Sequence, residues 1–389
     1  MTVPLDGKRA LRFVVTIGIV NLFADLTYEG GRGVAGAFLG HLGANGAIVG
    51  VVAGGGEFAG YAIRSIAGAI ADRTGLYWLD VWIGYAINVL CVPALAFAGS
   101  WPLAAGLLVG ERLGRGIRKP VTAAMLSQAG LVLGSGRAFG LNEALDQTGA
   151  TAGPLLVAFA ILRGGYPAGF GVLIVPALLT LAALAVANFS YRTSSVTLSN
   201  ASAASEVEGP AGPDAQNRRA FRRYAVGGAL IAAGYVDFAL IAFRFARDGV
   251  AGAATISLWF AVAMAVGAIA APLLGRLFDR FGKPVVGIAL ALGSAATPLA
   301  FLGHGATAQA GAALWGVGIA VQDALLLALI SGVLAQRRRA TAFGTYDLIF
   351  GLAWFAGSAI CGLLVDRSSA GLVFFSVLLQ LGAIPLFVL

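Results

Sequence analysis

The amino-acid sequence predicts an all-α integral membrane protein with twelve transmembrane helices in two similar halves. Of its 389 residues, 59% are hydrophobic and only 11% are charged, whereas soluble domains carry about 25% charged residues. Apolar runs long enough to cross a bilayer recur along the chain, and short patterns of the first half recur in the second. This composition excludes an ordinary soluble globule, because too few polar side chains are available to cover its surface.

A membrane-spanning helix needs about 20 mostly apolar residues, and runs of this kind give twelve predicted spans. A segment rich in Ser, Ala, Gly and Pro follows the sixth span and predicts a flexible cytoplasmic linker. The predicted domains are an N-terminal six-helix bundle (1–190), the linker (191–222) and a C-terminal six-helix bundle (223–389). The predicted spans are 12–37, 47–70, 78–99, 101–118, 138–162, 167–189, 223–247, 252–274, 284–303, 307–335, 341–364 and 370–389.

The distribution of basic residues predicts the orientation of the chain. With the N-terminus in the cytoplasm, all but five of the 26 lysines and arginines lie on the cytoplasmic side; the five are Arg32, Arg163, Arg244, Arg247 and Arg367. This is the positive-inside pattern, and it accounts for the net charge of +8 without a nucleic-acid partner. We therefore expect a multi-pass protein of a bacterial-type inner (plasma) membrane with both termini in the cytoplasm.

The N-terminus is predicted to be a first membrane span and not a cleaved signal. Asp25 and Glu29 interrupt its apolar run, and no small-residue cleavage site follows. The two cysteines, Cys91 and Cys361, lie far apart within apolar runs, which predicts neither a disulfide framework nor a zinc site. The sequence also lacks a nucleophile–base pair and a phosphate-binding loop. We expect no enzyme activity, no metal and no cofactor.

An internal repeat supports the division into two halves. A pattern of glycine, three residues, Asp-Arg, one residue and glycine occurs once in each half, between its second and third spans. The fifth and eleventh spans both open with Ala-Phe-Gly, followed by an acidic residue. Asp25 and Arg32 of the first span likewise match residues of the seventh. The repeated residues are Gly68, Asp72, Arg73 and Gly275, Asp279, Arg280 in the loops, Glu143 and Asp347 after Ala-Phe-Gly, and Asp237 and Arg244 in the seventh span.

The repeated loop resembles the signature loop of the major facilitator superfamily. Arg112 to Gly116 in the fourth span resembles an Arg-x-x-x-Gly motif of that family, and Gly149 to Pro154, through Gly153, resembles the Gly-Pro motif of its antiporters. The chain departs from the family at Leu76 and Tyr77, where basic residues are usual. The Gly-Pro motif also lacks its trailing glycines.

This resemblance implies two six-helix bundles around a central cavity that opens alternately to either side of the membrane. It also implies that the two Asp-Arg loops form a cytoplasmic gate. Glu143, Asp146 and Asp347 lie near the cytoplasmic ends of their spans, and we expect them to contribute gate contacts. Gly149, Gly153 and Pro154 are expected to act in helix packing, since small residues let helices approach closely.

Charged residues inside the membrane are candidates for function, because an ionised side chain at the bilayer centre costs roughly 2.5–3.5 kcal/mol on insertion scales. Buried carboxylates with raised pKa values are suited to carry protons. The proton-coupling candidates are Asp25, Glu29, Asp237 and Asp323, together with Arg112, whose role is implied by the resemblance. The alternative is that these groups neutralise one another and hold helices together.

A second interpretation places substrate recognition on polar residues of the first, second and seventh spans. Arg32 and Arg244 occupy matching positions and would clamp a phosphate or carboxylate group. Gly30, Gly31 and Gly33 surround Arg32 and allow close approach. The substrate-cavity candidates are Asn21, Tyr28, Arg32, Glu57, Tyr61, Tyr235 and Arg244.

Three functions follow as expectations. The first is a secondary active transporter of a small organic solute, with proton-coupled export. The second is a transporter of organic anions that uses Arg32 and Arg244. The third is a membrane sensor built on a transporter scaffold. The expected partners are a small molecule, protons and the lipid bilayer, and we expect a monomer.

Overall fold

The computed structural model describes residues 7–191, 215–326, 329–330 and 339–388. Most of the predicted linker lies outside these ranges. The side chains of Asp72 and Asp323 also lie outside the described part of the chain, although their backbones belong to helices. Asp72 was a predicted gate residue and Asp323 a predicted proton-coupling residue.

The first half folds into six helices with one short 3₁₀ turn at Leu95–Phe97. These helices are α1 (Gly7–His41), α2 (Gly46–Thr74), α3 (Tyr77–Ala94), α4 (Trp101–Leu133), α5 (Ser135–Gly171) and α6 (Ile174–Tyr191). Helix α5 is kinked where Gly164 and Gly165 leave helical geometry. The kink lies between the fifth and sixth predicted spans.

The second half folds into shorter helices, because several of its predicted spans are interrupted. The helices are α7 (Ala215–Gly234), α8 (Phe238–Arg247), α9 (Ala253–Phe281), α10 (Pro284–Ser294), α11 (Ala296–Leu302), α12 (Ala306–Ala320), α13 (Arg339–Arg367) and α14 (Ser369–Val388). A π-helical segment, Val321–Leu326, continues α12. Within the described ranges every regular element is helical, which confirms the all-α prediction.

Nine segments of the described chain are long and apolar enough to cross a membrane. One of them, Gly136–Tyr191, covers both the fifth and sixth predicted spans. The fourth predicted span is absent from this set, and its helix α4 carries charged residues such as Glu111. The tenth is also absent, and part of it lies outside the described residues. The nine segments are consistent with the twelve predicted spans.

Several helix boundaries differ from the sequence-based prediction. Helix α4 continues to Leu133, well past the predicted end at residue 118. Helix α7 begins at Ala215, inside the predicted linker. The seventh predicted span, 223–247, is not one helix: Tyr235, Val236 and Asp237 separate α7 from α8. The hydrophobic pattern alone does not reveal such a break, because the residues on both sides remain apolar.

The repeated loops end their helices in the same way. Helix α2 ends before Gly75, whose φ is +67°, and α9 ends before Gly282, whose φ is +72°. Only glycine adopts positive φ without a steric cost. The final glycine of each pattern therefore terminates a helix, which explains its presence at both positions.

The contacts between residues divide the chain into two compact units. Unit 1 contains the described residues of Met1–Gly31, Ala59–Ala98 and Gly106–Pro210. Unit 2 contains the described residues of Arg32–Phe58, Gly99–Ala105 and Ala211–Leu389.

The core of unit 1 is formed by large apolar side chains. Phe13 and Ile17 of α1 pack with Tyr85 and Val89 of α3 and with Leu184 of α6. Large apolar side chains also lie on the outside, and Phe189 is 90% exposed. Such a surface is expected when lipid and not water is the surrounding solvent.

Glycines set the closest helix contacts in each unit. In unit 1, a Cβ added to Gly149 or Gly153 of α5 would overlap the backbone of α1 at Leu22 or Leu26. In unit 2, a Cβ added to Gly357 of α13 would overlap the backbone of α7 at Ala233. The predicted packing glycines thus lie directly against α1, and Gly357 is their counterpart in the second half.

Candidate functional site

Unit 1 contains a buried arginine that is hydrogen-bonded on three sides. Arg118 of α4 is 3% exposed. Its Nε donates to Asn88 Oδ1 at 3.1 Å, and its Nη1 donates to Asn21 Oδ1 at 3.0 Å. Its Nη2 lies 3.4 Å from Asp25 Oδ1, which forms an ion pair between α4 and α1. The guanidinium is therefore fixed by amide and carboxylate oxygens from two other helices.

Hydrogen bonds extend from this arginine to a second carboxylate. Asn21 Nδ2 donates to Asn142 Oδ1 at 2.8 Å, and Asn142 Nδ2 donates to Asp146 Oδ2 at 3.1 Å. The hydroxyl of Tyr85 donates to Asn21 Oδ1. The chain of contacts thus links Arg118 through two amides to Asp146 on α5.

A third carboxylate joins from α4. Asn88 Nδ2 donates to Glu111 Oε1 at 2.9 Å, and Glu111 forms an ion pair with Arg112. Arg112 therefore pairs with Glu111, its neighbour in the sequence. A pairing of this kind is the alternative to a role in proton coupling. We refer to the connected residues Asn21, Asp25, Tyr85, Asn88, Glu111, Arg112, Arg118, Asn142 and Asp146 as the Arg118 network.

Close backbone approach brings these polar side chains together. A Cβ on Gly84 of α3 would lie 2.8 Å from the backbone nitrogen of Arg118, and one on Gly114 of α4 would overlap Asn88. The aromatic rings of Tyr85 and Tyr28 lie 4.5 and 5.7 Å from the Arg118 guanidinium carbon. Both rings stabilise the buried cation through their faces.

The network is chemically unbalanced around Asp146. Asp25 contacts Arg118, and Glu111 contacts Arg112, but Asp146 Oδ1 is buried without a hydrogen-bond partner among the described residues. Its other oxygen, Oδ2, accepts from Asn142. In the described part of the chain, Asp146 is therefore the carboxylate of the network that has no ion pair with an arginine.

The remaining candidates of α1 and α2 fall into the two units. Glu29 is buried on α1, one turn beyond Asp25. In unit 1, Arg64 lies over the ring of Tyr61 at 4.8 Å. In unit 2, Arg32 Nη2 lies 3.5 Å from Glu57 Oε1. Arg64 therefore lies over an aromatic ring, whereas Arg32 forms an ion pair.

Arg244 does not share the environment of its repeat mate Arg32. Its Nη1 donates to the carbonyl oxygens of Ala300 at 2.9 Å and Gly303 at 3.1 Å, and its Nε donates to Asp248 Oδ2 at 3.2 Å. Arg32 instead pairs with Glu57 and lies 6.0 Å from the Trp315 ring. Arg244 thus fastens α8 to the end of α11.

Asp248 lies between two arginines just beyond α8. Burial tends to raise the pKa of its carboxyl, but the hydrogen bond and charge of Arg247, with those of Arg244, outweigh burial. The net effect is a pKa below the ordinary value of 3.8. Arg247 also bonds Asp366 at 3.2 Å, so this cluster joins α8 to α13.

The break between α7 and α8 places Asp237 at a helix N-terminus. Asp237 has an extended conformation, and its Oδ1 accepts from the backbone nitrogen of Ala239 at 2.9 Å. Its other oxygen, Oδ2, is buried without a partner among the described residues. Tyr235, at the start of the break, donates from its hydroxyl to the carbonyl oxygen of Trp315 at 2.5 Å.

The predicted cytoplasmic gate residues lie mostly at the surface. Arg73, Asp279 and Arg280 are exposed, and Asp347 is half-buried. Glu143 is exposed and accepts from Gln147 at 2.8 Å. Asp146, another predicted gate residue, is part of the Arg118 network. The gate therefore stays a prediction.

The loop glycines of this gate are less crowded than the packing glycines. A Cβ added to Gly68 would meet the Pro120 ring at an ordinary 3.7 Å, and one added to Gly275 would meet nothing within 4 Å. Neither glycine is therefore required by close packing within its own unit.

Sequence reasoning missed four members of the Arg118 network: Tyr85, Asn88, Arg118 and Asn142. Arg118 was counted as a cytoplasmic loop charge because the fourth span was ended there. Its position seven residues after Glu111 places both on one face of a helix. That spacing was the available signal. The amides gave no signal, since an isolated asparagine in an apolar run is compatible with many roles.

Comparison with known proteins gives relatives at the level of sequence. The chain is 35% identical over 383 residues to proteins of Mycobacterium tuberculosis and Mycobacterium bovis that are named uncharacterized proteins. The match covers 96% of this chain and 92% of the relatives. No family model matches the sequence.

Comparison with solved structures gives the fold. A peptide transporter of the POT type has a TM-score of 0.74 and 14% identity, covering 98% of both chains. The nucleoside transporter NupG has a TM-score of 0.75 and 11% identity, covering 96% of this chain and 100% of the other. A bacterial homolog of the human lysosomal transporter Spinster has a TM-score of 0.69 and 14% identity, covering 97% and 95%. The chain belongs to the family of these mycobacterial proteins, and it has the fold of major facilitator superfamily transporters.

Proposed function

We propose that this protein is a secondary active transporter that moves a small organic solute across the membrane by alternating access. We propose further that it exports the solute and that proton movement drives the export. The observation that carries the proposal is the Arg118 network, a buried set of ionisable groups within helices suited to a bilayer. Proteins of similar fold are named as a peptide transporter and a nucleoside transporter. These likenesses support transport in general.

The Arg118–Asp25 ion pair supports proton coupling through its geometry. The pair uses Nη2 of Arg118, whereas Nε and Nη1 bond Asn88 and Asn21, so loss of the ion pair leaves the other two bonds in place. Protonation of Asp25 removes its charge and leaves Arg118 held by amides alone. Because a buried charge is costly, the loss or gain of one proton biases the protein between conformations. Asp146 offers a second proton site at the end of the same chain of hydrogen bonds.

The organic-anion alternative receives less support from the geometry. An anion clamp requires two guanidinium groups that present donors to the same ligand. Arg244 donates to two backbone carbonyls and to Asp248, while Arg32 pairs with Glu57. The two arginines are thus engaged in different local structures.

The test uses everted membrane vesicles with an acidified interior and a fluorescent pH indicator. We expect permanently charged organic cations (ethidium and tetraphenylphosphonium) to dissipate the proton gradient in vesicles with the wild-type protein. Asp25→Asn should abolish this response, whereas Asp25→Glu, which keeps a titratable group, should retain part of it. An Asp25→Asn protein that dissipates the gradient at the wild-type rate would overturn the proton-coupling proposal.

A further inference from the structure

The interruption of the seventh span is supported by specific side chains and is not a local defect. A break in a membrane helix frees backbone carbonyls that need hydrogen-bond partners. Trp315 Nε1 donates to the carbonyl oxygen of Val236 at 2.9 Å, and Gln380 Nε2 donates to that of Gly234 at 3.2 Å. Two other helices, α12 and α14, therefore stabilise this backbone in its open form.

Three buried polar atoms around the break have no hydrogen-bond partner among the residues that the structure describes. They are Asp237 Oδ2, Gln322 Oε1 and Trp354 Nε1, in residues that are 2%, 7% and 5% exposed. An unsatisfied buried polar group destabilises the folded protein, so three of them near one break call for an explanation. A ligand that supplies the missing hydrogen bonds is such an explanation.

Contacts with Tyr235 bring Trp354 and the helix turn that carries Gln322 close to the break. The ring of Trp354 lies 5.6 Å from that of Tyr235, and the ring of Trp315 lies 5.5 Å from it. A Cβ on Gly318 would overlap the Tyr235 ring, and Gln322, one turn further along, donates to the Gly318 carbonyl oxygen at 3.2 Å. Asp237 follows Tyr235 by two residues.

The chemistry of this cluster favours a cation. Two of the three unpartnered atoms are acceptors, and one of them belongs to a carboxylate. Aromatic faces of Tyr235 and Trp354 stabilise a positive charge that lies over them. A protonated amine carries the N–H donors that the two acceptors lack, and an apolar or aromatic body matches the character of the rings.

We propose that the break between α7 and α8 is a binding site for a protonated organic amine, with Asp237 and Gln322 as acceptors and the rings of Tyr235 and Trp354 as walls. The proposal rests on the proposed transport function, because these buried groups become accessible to a ligand only when the surrounding helices separate. It names the class of solute that the transporter carries.

The test measures binding to purified protein in detergent by isothermal titration calorimetry. The probes are 2-phenylethylamine, its neutral analogue 2-phenylethanol and its anionic analogue 3-phenylpropanoate. We expect the amine to bind and the two analogues to bind at least tenfold more weakly. Equal binding of all three probes, or binding of the anion alone, would overturn the proposal, as would the absence of amine binding.

Variants assign the binding to the break. Asp237→Asn keeps the helix cap, since asparagine caps as well as aspartate, and should weaken amine binding at least tenfold. Asp248→Asn removes the same charge elsewhere in unit 2 and should leave amine affinity unchanged. Gln322→Glu adds a carboxylate and should strengthen amine binding, which provides a test of opposite sign if Asp237→Asn fails to fold. Unchanged affinity in both Asp237→Asn and Gln322→Glu would contradict the site.

The Asp25→Asn variant separates this inference from the proposed function. It should lose the gradient response in vesicles yet still bind 2-phenylethylamine. If the wild-type protein dissipates the gradient with other solutes but does not bind the amine, the proposed transport function stands and the proposed amine site is wrong. A protein that binds the amine at the break without any gradient response retains the site and refutes proton coupling.

Discussion

A single residue, Arg118, holds the polar interior of unit 1 together. Its three donor nitrogens bond Asn88 on α3 and both Asn21 and Asp25 on α1. Removal of one partner of a buried ion pair costs about 3–5 kcal/mol, because the other charge remains uncompensated. The stability of this half should therefore depend strongly on the pairing of Arg118.

We expect Arg118→Met to lower the midpoint of thermal unfolding in detergent markedly, by an amount equivalent to about 3–5 kcal/mol. The double variant Arg118→Met/Asp25→Asn should recover part of that loss, since both charges are then absent. Arg73→Met, at an exposed position, serves as the control and should change little. No recovery in the double variant would show that Asp25 is not the main partner of Arg118.

Asp248 predicts a pH effect at the level of one residue. Because Arg247 and Arg244 hold the pKa of Asp248 below its ordinary value, its ionised form stabilises the folded state above about pH 4. That contribution is lost as the pH falls through the lowered pKa. The difference in unfolding midpoint between wild type and Asp248→Asn should shrink between pH 5 and pH 3. A difference that does not vary with pH would contradict this assignment.

At the scale of the helices, two glycines of α5 allow the contact with α1. Adding a methyl group at Gly153 would push it into the α1 backbone at Leu26, and a backbone cannot move aside as a flexible side chain can. Gly140 lies on the same helix with nothing within 4 Å of an added Cβ. The two positions form a matched pair.

We expect Gly153→Ala to destabilise unit 1 by about 1–3 kcal/mol, the usual cost of overpacking. Gly140→Ala should be neutral or slightly stabilising, because alanine favours a helix over glycine. Thermal unfolding of both variants in detergent measures the contrast. Equal midpoints for the two variants would show that α1 and α5 are farther apart than the structure indicates.

Sequence patterns predicted the helices better than their interruptions. Length and hydropathy located most spans, and the repeated glycine pattern located the ends of α2 and α9. The break at Tyr235–Asp237 was missed because it is stabilised from a distance, by Trp315 and Gln380, and one-dimensional periodicity does not show these contacts. The same limit explains the candidate site. Asp25 was predicted as a charge in an apolar run and Asp146 as a gate residue, whereas the partners Asn88 and Asn142 became apparent only from the packing.

At the scale of the whole molecule, the distribution of positive charge predicts topology. Ser100 follows the 3₁₀ turn and lies on the predicted outer side, and Thr74 ends α2 on the predicted cytoplasmic side. Both side chains are exposed and close in size to cysteine. They therefore offer matched reporters of sidedness.

We expect an impermeant maleimide to label Ser100→Cys in intact cells and to label Thr74→Cys only after the membrane is permeabilised. The positive-inside pattern is the physical reason, since basic loops remain in the cytoplasm. The unaltered chain, whose Cys91 is half-buried and Cys361 buried, gives the background. Labelling in the opposite order would invert the predicted orientation.

Gly153 and Gly357 pack against the first helix of their respective halves, while the polar chemistry of the halves has diverged. One half concentrates ionisable groups around Arg118, and the other carries an open backbone lined by aromatic rings. In the proposed transporter, proton coupling and solute binding lie in different halves. Solute preference can then change through substitutions near the broken helix while the proposed proton coupling is kept. Relatives in this family are therefore expected to vary most in what they carry and least in what drives them.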